Sequence, residues 1–350
     1  MKLTDLRCEP VAHSPPRPHE ALQDAPATRD RDRLRKHDHS PTVSIIIPCY
    51  NEASRIDRSI ASVQAQTLQD WELIVVDDGS TDDSWQVLTA LSASDTRIRI
   101  LRQQNAGAAA ARNRGLPLAN GRFIAFLDAD DTWEPQFLEA MSSALDNNAE
   151  AGIAYCGWQN LGLPGGQGLP FVPPDYETPA KLEILLEGCR WPIHGAMTRA
   201  SLIHDCGGFD ETLSSCMDYD LWLRLGTEQR LKRVPEVLAY YHHHGGVQIT
   251  RDRSRIALNH FRTQGKFLEH HPEVAHRLGT VRVRQLTVGE LLRRGYAAYW
   301  QRDLPAARTI FRVVMRSGYG TARDWLHMLP CLLPLCVHAR VLQYIDSHRR

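Results

Sequence analysis

Polar clusters rich in Asp, Glu and Asn follow three apolar, β-branched runs of this chain. Val43-Ser44-Ile45-Ile46-Ile47 leads into Pro48-Cys49-Tyr50-Asn51-Glu52, and Glu72-Leu73-Ile74-Val75-Val76 leads into Asp77-Asp78-Gly79-Ser80. Phe123-Ile124-Ala125-Phe126-Leu127 leads into Asp128-Ala129-Asp130-Asp131. One such cluster reads as a helix cap or a turn. Three of them at strand ends point to a shared cleft, because ligands of open α/β sheets bind beyond the carboxyl ends of the strands. Carboxylates gathered in one cleft repel one another unless a cation neutralises them, so a divalent ion is the physical inference. Asp128 and Asp130 bracket a small alanine, which leaves room for it. Mg²⁺ or Mn²⁺ would be held there by one or two carboxylates together with the two phosphates of a nucleoside diphosphate.

The glycine patterns of competing nucleotide binders are missing. No G-x-G-x-x-G follows the first apolar run, no G-x-x-x-x-G-K-[ST] occurs, and there is no G-x-S-x-G elbow. Dinucleotide oxidoreductases, P-loop enzymes and serine hydrolases of that type are thereby excluded.

The elements that must position these residues follow from periodicity. The apolar runs read as strands buried on both faces, the mark of a parallel sheet. Ile56, Ile60 and Val63 recur at helical spacing within 53–66, so the first two strands and this segment form a βαβ unit. A helix over 84–91, a strand over 98–101, a helix over 108–118 and the strand over 123–127 continue the alternation expected of an α/β fold with right-handed crossovers. Beyond it lie a helix over 135–145, a strand over 153–155, a Gly/Pro-rich loop over 162–174, and helices over 179–187 and 218–225. After Arg251 the sequence reads as helical throughout, including 295–314, with the look of a helix hairpin.

The motifs SIIIPCYNE, ELIVVDDGSTDDS, QNAGAAAARNRG and FIAFLDADDTW, between Ser44 and Trp133, resemble the nucleotide-sugar-binding half of family 2 glycosyltransferases of the GT-A fold. A second set, Gly207-Gly208-Phe209-Asp210-Glu211 and Met217-Asp218-Tyr219-Asp220-Leu221-Trp222, resembles the acceptor-side motif of that family. The resemblance covers about residues 43–250. It implies a Rossmann-like, mostly parallel sheet with flanking helices, and an inverting transfer of sugar from a nucleotide-diphosphate donor to an acceptor hydroxyl.

Residue by residue, the resemblance assigns Asp77 and Asp78 to the nucleobase and ribose, with Pro48, Tyr50 and Glu52 lining that pocket. It gives Arg112 and Asn113 the ordering of the donor loop, Asp128 the ribose or the metal, and Asp130 the metal. Asp218 becomes the catalytic base, with Trp222 and Asp220 on the acceptor side; the family's acidic pair is broken here by Met217. The run His242-His243-His244 has the wrong spacing for a tetrahedral cluster, and the resemblance singles out His244 for the metal or the diphosphate. Asp82 and Asp83 read as a helix start, and Asp131 as the cap of the helix near Pro135.

Composition agrees with a folded enzyme: 43% hydrophobic, 23% charged and no net formal charge over 350 residues. The charge is unevenly spread, since residues 251–350 carry eighteen Lys or Arg against seven Asp or Glu. With the broken apolar stretch Trp325–Leu342, that excess suits an anionic membrane surface. Eight scattered cysteines without a CxxC pair suggest a reducing compartment, and no signal peptide or membrane-spanning run is evident. The expected organisation is a disordered leader over 1–40, a GT-A domain over 41–250 and a helical extension over 251–350. A cytoplasmic enzyme, peripheral at the inner face of the membrane, would use a saccharide or lipid-linked acceptor and no nucleic acid. A sugar-phosphate nucleotidyltransferase and a non-catalytic GT-A scaffold are the rival readings; the first lacks its Gly-rich loop and downstream Lys.

Overall fold

The computed structural model describes residues 40–163, 165–245, 252–338 and 340. The expected leader, apart from Ser40, lies outside them.

Eight strands form one mixed sheet: β1 (Val43–Cys49), β2 (Trp71–Asp77), β3 (Ile98–Arg102), β4 (Phe123–Phe126), β5 (Thr132–Trp133), β6 (Ala151–Leu161), β7 (Ala196–Arg199) and β8 (Arg230–His242). Their order is β3-β2-β1-β4-β7-β6-β8-β5. β1, β2, β3 and β4 pair in parallel, whereas β7 runs antiparallel to β4 and β6, and β5 antiparallel to β8. The parallel expectation therefore holds for the first half, and the second half makes the sheet mixed. β1 shows why its run is continuous: Ile46 packs into one apolar layer while Ile45 and Ile47 pack into the other.

The first half carries α1 (Ile56–Gln64), α2 (Ser84–Ser94), α3 (Ala108–Gly115) and α4 (Phe137–Asp146). Then come α5 (Lys181–Glu187), α6 (Ala200–Asp205) and α7 (Met217–Glu228). α3 and α7 contribute to one apolar layer, and α1 and α4 to the other.

The remainder is helical: α8 (Arg253–His270), α9 (Pro272–Arg284), α10 (Glu290–Trp300), α11 (Leu304–Arg316) and α12 (Ala322–Met328). Gly279 at φ 75° kinks α9, and the segment 295–314 is two helices. Arg302 turns left-handed at φ 62°, Asp303 caps the Ala306 N–H, and Pro305 sits in the first turn of α11, so a new helix must start there.

α8 does more than trail from the sheet. His260 stacks on Tyr219 of α7 with ring centroids 4.2 Å apart, and Gln264 donates to the Leu186 carbonyl at 2.6 Å. Asn259 reaches the Ser215 hydroxyl at 2.9 Å, one residue before the left-handed Cys216 (φ 61°) that opens α7. No described helix is long and apolar enough to cross a membrane.

Candidate active site

The turns after β1 and β2 are tied together. Asn51, left-handed at φ 56°, donates its N–H to Ser80 Oγ at 3.0 Å and accepts the Thr81 N–H at 2.8 Å. The Glu52 N–H reaches Ser84 Oγ at 2.8 Å. Asp77 is fully buried against Arg102 Nε at 3.0 Å. The Asp78 carboxylate accepts from Gln103 Nε2 and from the Ala106 and Gly107 N–H groups, each at 2.8 Å. Asp78 thus holds the loop that enters α3. Gly79, which follows Asp78, has φ 74°, and a Cβ there would lie 2.8 Å from the Asn105 nitrogen, so only glycine fits. Tyr50 stands exposed on the same edge beside the partly exposed Pro48.

A second group forms where β1, β4 and β8 end. Glu52, Asp130 and His244 each place one ligand atom within 4.8 Å of the others. His244 Nε2 lies 2.9 Å from Asp130 Oδ2. Burial and the neighbouring Asp130 charge raise the Glu52 carboxyl above its ordinary value, against the pull of Arg55. Two carboxylates and an imidazole fit a divalent ion that keeps positions for other ligands, and the nitrogen donor favours Mn²⁺ over Mg²⁺. Glu52, read from the sequence as a nucleoside contact, belongs to this group. The other two histidines are occupied: His242 Nε2 meets Thr132 Oγ1 at 2.9 Å and His243 Nε2 meets Asn160 Oδ1 at 3.1 Å.

Asp128 is placed differently from Asp130. It forms a close ion pair with Nη2 of Arg112, a buried side chain on α3. Arg112 Nε and Nη1 are also buried and have no hydrogen-bond partner within the described protein. A buried guanidinium with unused donors is costly unless something fills them, and a phosphate group matches its fork. Asp218, in the first turn of α7, feels both the Arg112 and Asp128 charges. Its Oδ1 accepts the Tyr219 N–H at 2.8 Å, and Oδ2 has the Cys189 thiol at 4.0 Å. Desolvation raises its carboxyl above the ordinary value, which suits a base that must accept a proton.

Other expected site residues are placed as follows. Asn113, expected to order the donor loop, bonds the Phe209 backbone N–H and carbonyl at 2.8 and 2.9 Å and Glu211 at 2.8 Å, clamping the 207–211 motif to α3. Gly208 explains its own place in that motif, since at φ 72° a Cβ would lie 2.6 Å from Asn113 Oδ1. Asp220 is buried and paired with Arg224 at 2.8 Å, and Arg224 holds the Cys206 and Gly208 carbonyls. Trp222 is buried in the apolar layer beside Trp191. Trp222 stays within that layer, whereas Asp220, though buried, lines a cavity together with Asn113, Gly208 and Arg224. Asp131 is no helix cap: it is fully buried, 2.9 Å from His194 Nδ1. Burial drives the Asp131 carboxyl up against the pull of His194, while Asp131 raises the imidazole against its own burial. Nothing in the pattern W-P-I-H-G announces His194.

The sequence profile of glycosyl transferase family 2 matches residues 44–165, which hold the strand-end carboxylates of β1, β2 and β4. Those residues form a family 2 glycosyltransferase domain. The chain is 37% identical over 190 residues to an uncharacterized glycosyltransferase of Rickettsia bellii, a match covering 53% of this chain and 27% of that protein. It is 29% identical over 210 residues to the chondroitin synthase of Escherichia coli, covering 56% of this chain and 28% of the relative. It therefore spans less than a third of either relative's length. The crystal structure of S. aureus TarS superposes with a TM-score of 0.57 at 19% identity, over 88% of this chain and 54% of that one, a likeness of fold. The fold is GT-A with added C-terminal helices.

Proposed function

We propose that this glycosyltransferase moves a sugar, with inversion, from a nucleoside-diphosphate donor to an acceptor hydroxyl. The observation that carries the reading is Arg112: a buried guanidinium with two unfilled donors, paired with Asp128 and close enough for its charge to act on Asp218.

In this reading Tyr50, Pro48, Asp77 and Asp78 shape the nucleoside end. Arg112 takes phosphate oxygens through Nε and Nη1, and Asp128 holds it in place. Glu52, Asp130 and His244 would hold Mn²⁺ or Mg²⁺, which when bound stabilises charge on the departing diphosphate. Asp218 accepts the hydroxyl proton as the acceptor oxygen bonds to the anomeric carbon and the carbon–oxygen bond to the diphosphate breaks. One displacement inverts the centre, and no covalent glycosyl intermediate is needed. The likeness to a chondroitin synthase supports a saccharide or lipid-linked acceptor in cell-surface polysaccharide or glycolipid synthesis.

The test is a thermal-shift panel of nucleotide-diphosphate sugars with Mn²⁺, because a ligand that binds only the folded state raises its melting temperature. One donor class is expected to raise Tm, and turnover to release nucleoside diphosphate. Release of pyrophosphate would favour a nucleotidyltransferase, and binding without any turnover a scaffold.

The same reading treats 251–350 as an extension that meets an anionic membrane surface. Leu326, Leu329, Leu332, Leu333, Leu335 and Val337 are exposed, as are Arg312, Arg316 and Arg323 nearby. Co-sedimentation with anionic vesicles is expected to exceed that with neutral ones and to weaken with salt. Equal recovery would remove the electrostatic contribution.

A further inference from the structure

The pair Asp131–His194 lies outside every role assigned above. Both side chains are almost wholly buried, and they meet at 2.9 Å. A buried ion pair is a poor stabiliser: well-packed apolar residues in its place are often as good or better. Packing alone therefore does not account for two ionisable side chains here.

The connections of the pair suggest what does. Asp131 Oδ1 accepts the His242 N–H at 2.8 Å, at the end of β8. Two residues on, His244 reaches Asp130 at 2.9 Å. On the other side, the His194 carbonyl accepts Trp133 Nε1 at 2.7 Å, fixing the short helical turn 193–195 against the chain that leaves the Asp128–Asp131 turn. Asp128, Asp131 and His194 bring their ligand atoms within 4.8 Å of one another, so the pair stands directly behind the carboxylates that face the cleft.

We infer that Asp131 and His194 are a positioning pair for the candidate cation site. The Asp131 carboxylate binds the strand end that delivers His244 to the turn that delivers Asp130, and His194 compensates its charge and fixes its orientation. This rests on the reading of Glu52, Asp130 and His244 as cation ligands. Partners behind metal ligands commonly matter about 10–100-fold in metal affinity.

The experiment is Mn²⁺ titration of the full chain by calorimetry, with and without UDP or GDP, for the parent protein, Asp131→Asn and His194→Gln. Asparagine keeps an oxygen for the His242 N–H but loses the charge. Both variants are expected to bind Mn²⁺ about 10–100-fold more weakly. If either fails to melt cooperatively, the double variant Asp131→Asn/His194→Gln, which leaves no charge uncompensated, takes its place with the same expected loss. Parent-like Mn²⁺ affinity in the variants, with or without a lowered Tm, would overturn the positioning role alone. No saturable Mn²⁺ binding by the parent protein would overturn the cation reading, and this inference with it.

Discussion

Asp218→Asn is expected to lower sugar transfer by about 10²–10⁴-fold, the usual size of general-base help, while donor affinity stays near that of the parent. Asparagine keeps the shape and the acceptor for the Tyr219 N–H, so α7 should open as before. It cannot take the hydroxyl proton. Asp218 lies beyond the matched segment 44–165, so the donor side should form without it. The carboxyl is raised by desolvation and by Asp128, with Arg112 opposing. Turnover should fall as pH drops through this raised value, above the range of an ordinary carboxylate. For stability, a carboxyl raised in the folded state costs progressively more as pH rises from its unfolded value to the folded one, and the full cost is present above that. The asparagine variant should therefore melt at or above the parent temperature at neutral pH. Collapse of donor affinity in calorimetry would move Asp218 to the donor site.

Asp130→Asn is the second large effect. Removing one of two carboxylates from the Glu52–Asp130–His244 group takes away a direct ligand, so Mn²⁺-dependent turnover should fall by more than the roughly 10–100-fold typical of outer partners. The site lies at a strand end rather than in the apolar layers, and the fold should persist by circular dichroism. The variant also relieves the repulsion that raises the Glu52 carboxyl, so a modest gain in Tm is compatible with the loss of activity. Near-normal Mn²⁺-dependent turnover would remove Asp130 from the cation site.

The parts of the fold that the sequence made legible share one physical property. β1, β2 and β4 are buried on both faces, so their apolar runs are unbroken and the polar residues that follow stand out. β8 has no such signal. Its thirteen residues include Arg230, Lys232, Arg233, Pro235 and Glu236, and its burial follows no two-residue period. β7 is four residues, Ala-Met-Thr-Arg, too short for any period.

In the site the same division appears. The convergence of carboxylates was legible because each follows a readable strand. Which carboxylate meets which partner was not, since Arg112, His194 and His244 arrive from distant segments. Asp128 and Asp130 look alike in sequence, yet the first pairs with an arginine on α3 and the second with a histidine beyond β8. Trp222 and Asp220 carried the right motif, but their helix faces turn inward.

The contacts of α8 bear on the order in which the molecule can be made. A chain that emerges N-terminus first can pair β1 to β4 from local βαβ units early, because their partners lie close in sequence. The turn bearing Asp218 is different. Its neighbours Ser215 and Tyr219, and the Leu186 carbonyl beside them, are held by Asn259, His260 and Gln264. Those residues are synthesised some forty to eighty positions later. The half built from β1 to β4 can therefore take shape while the turn bearing Asp218 is still unlocked, and that turn is held only once α8 has been made. A shortened chain ending near residue 250 would leave Tyr219 and the Leu186 carbonyl without these partners.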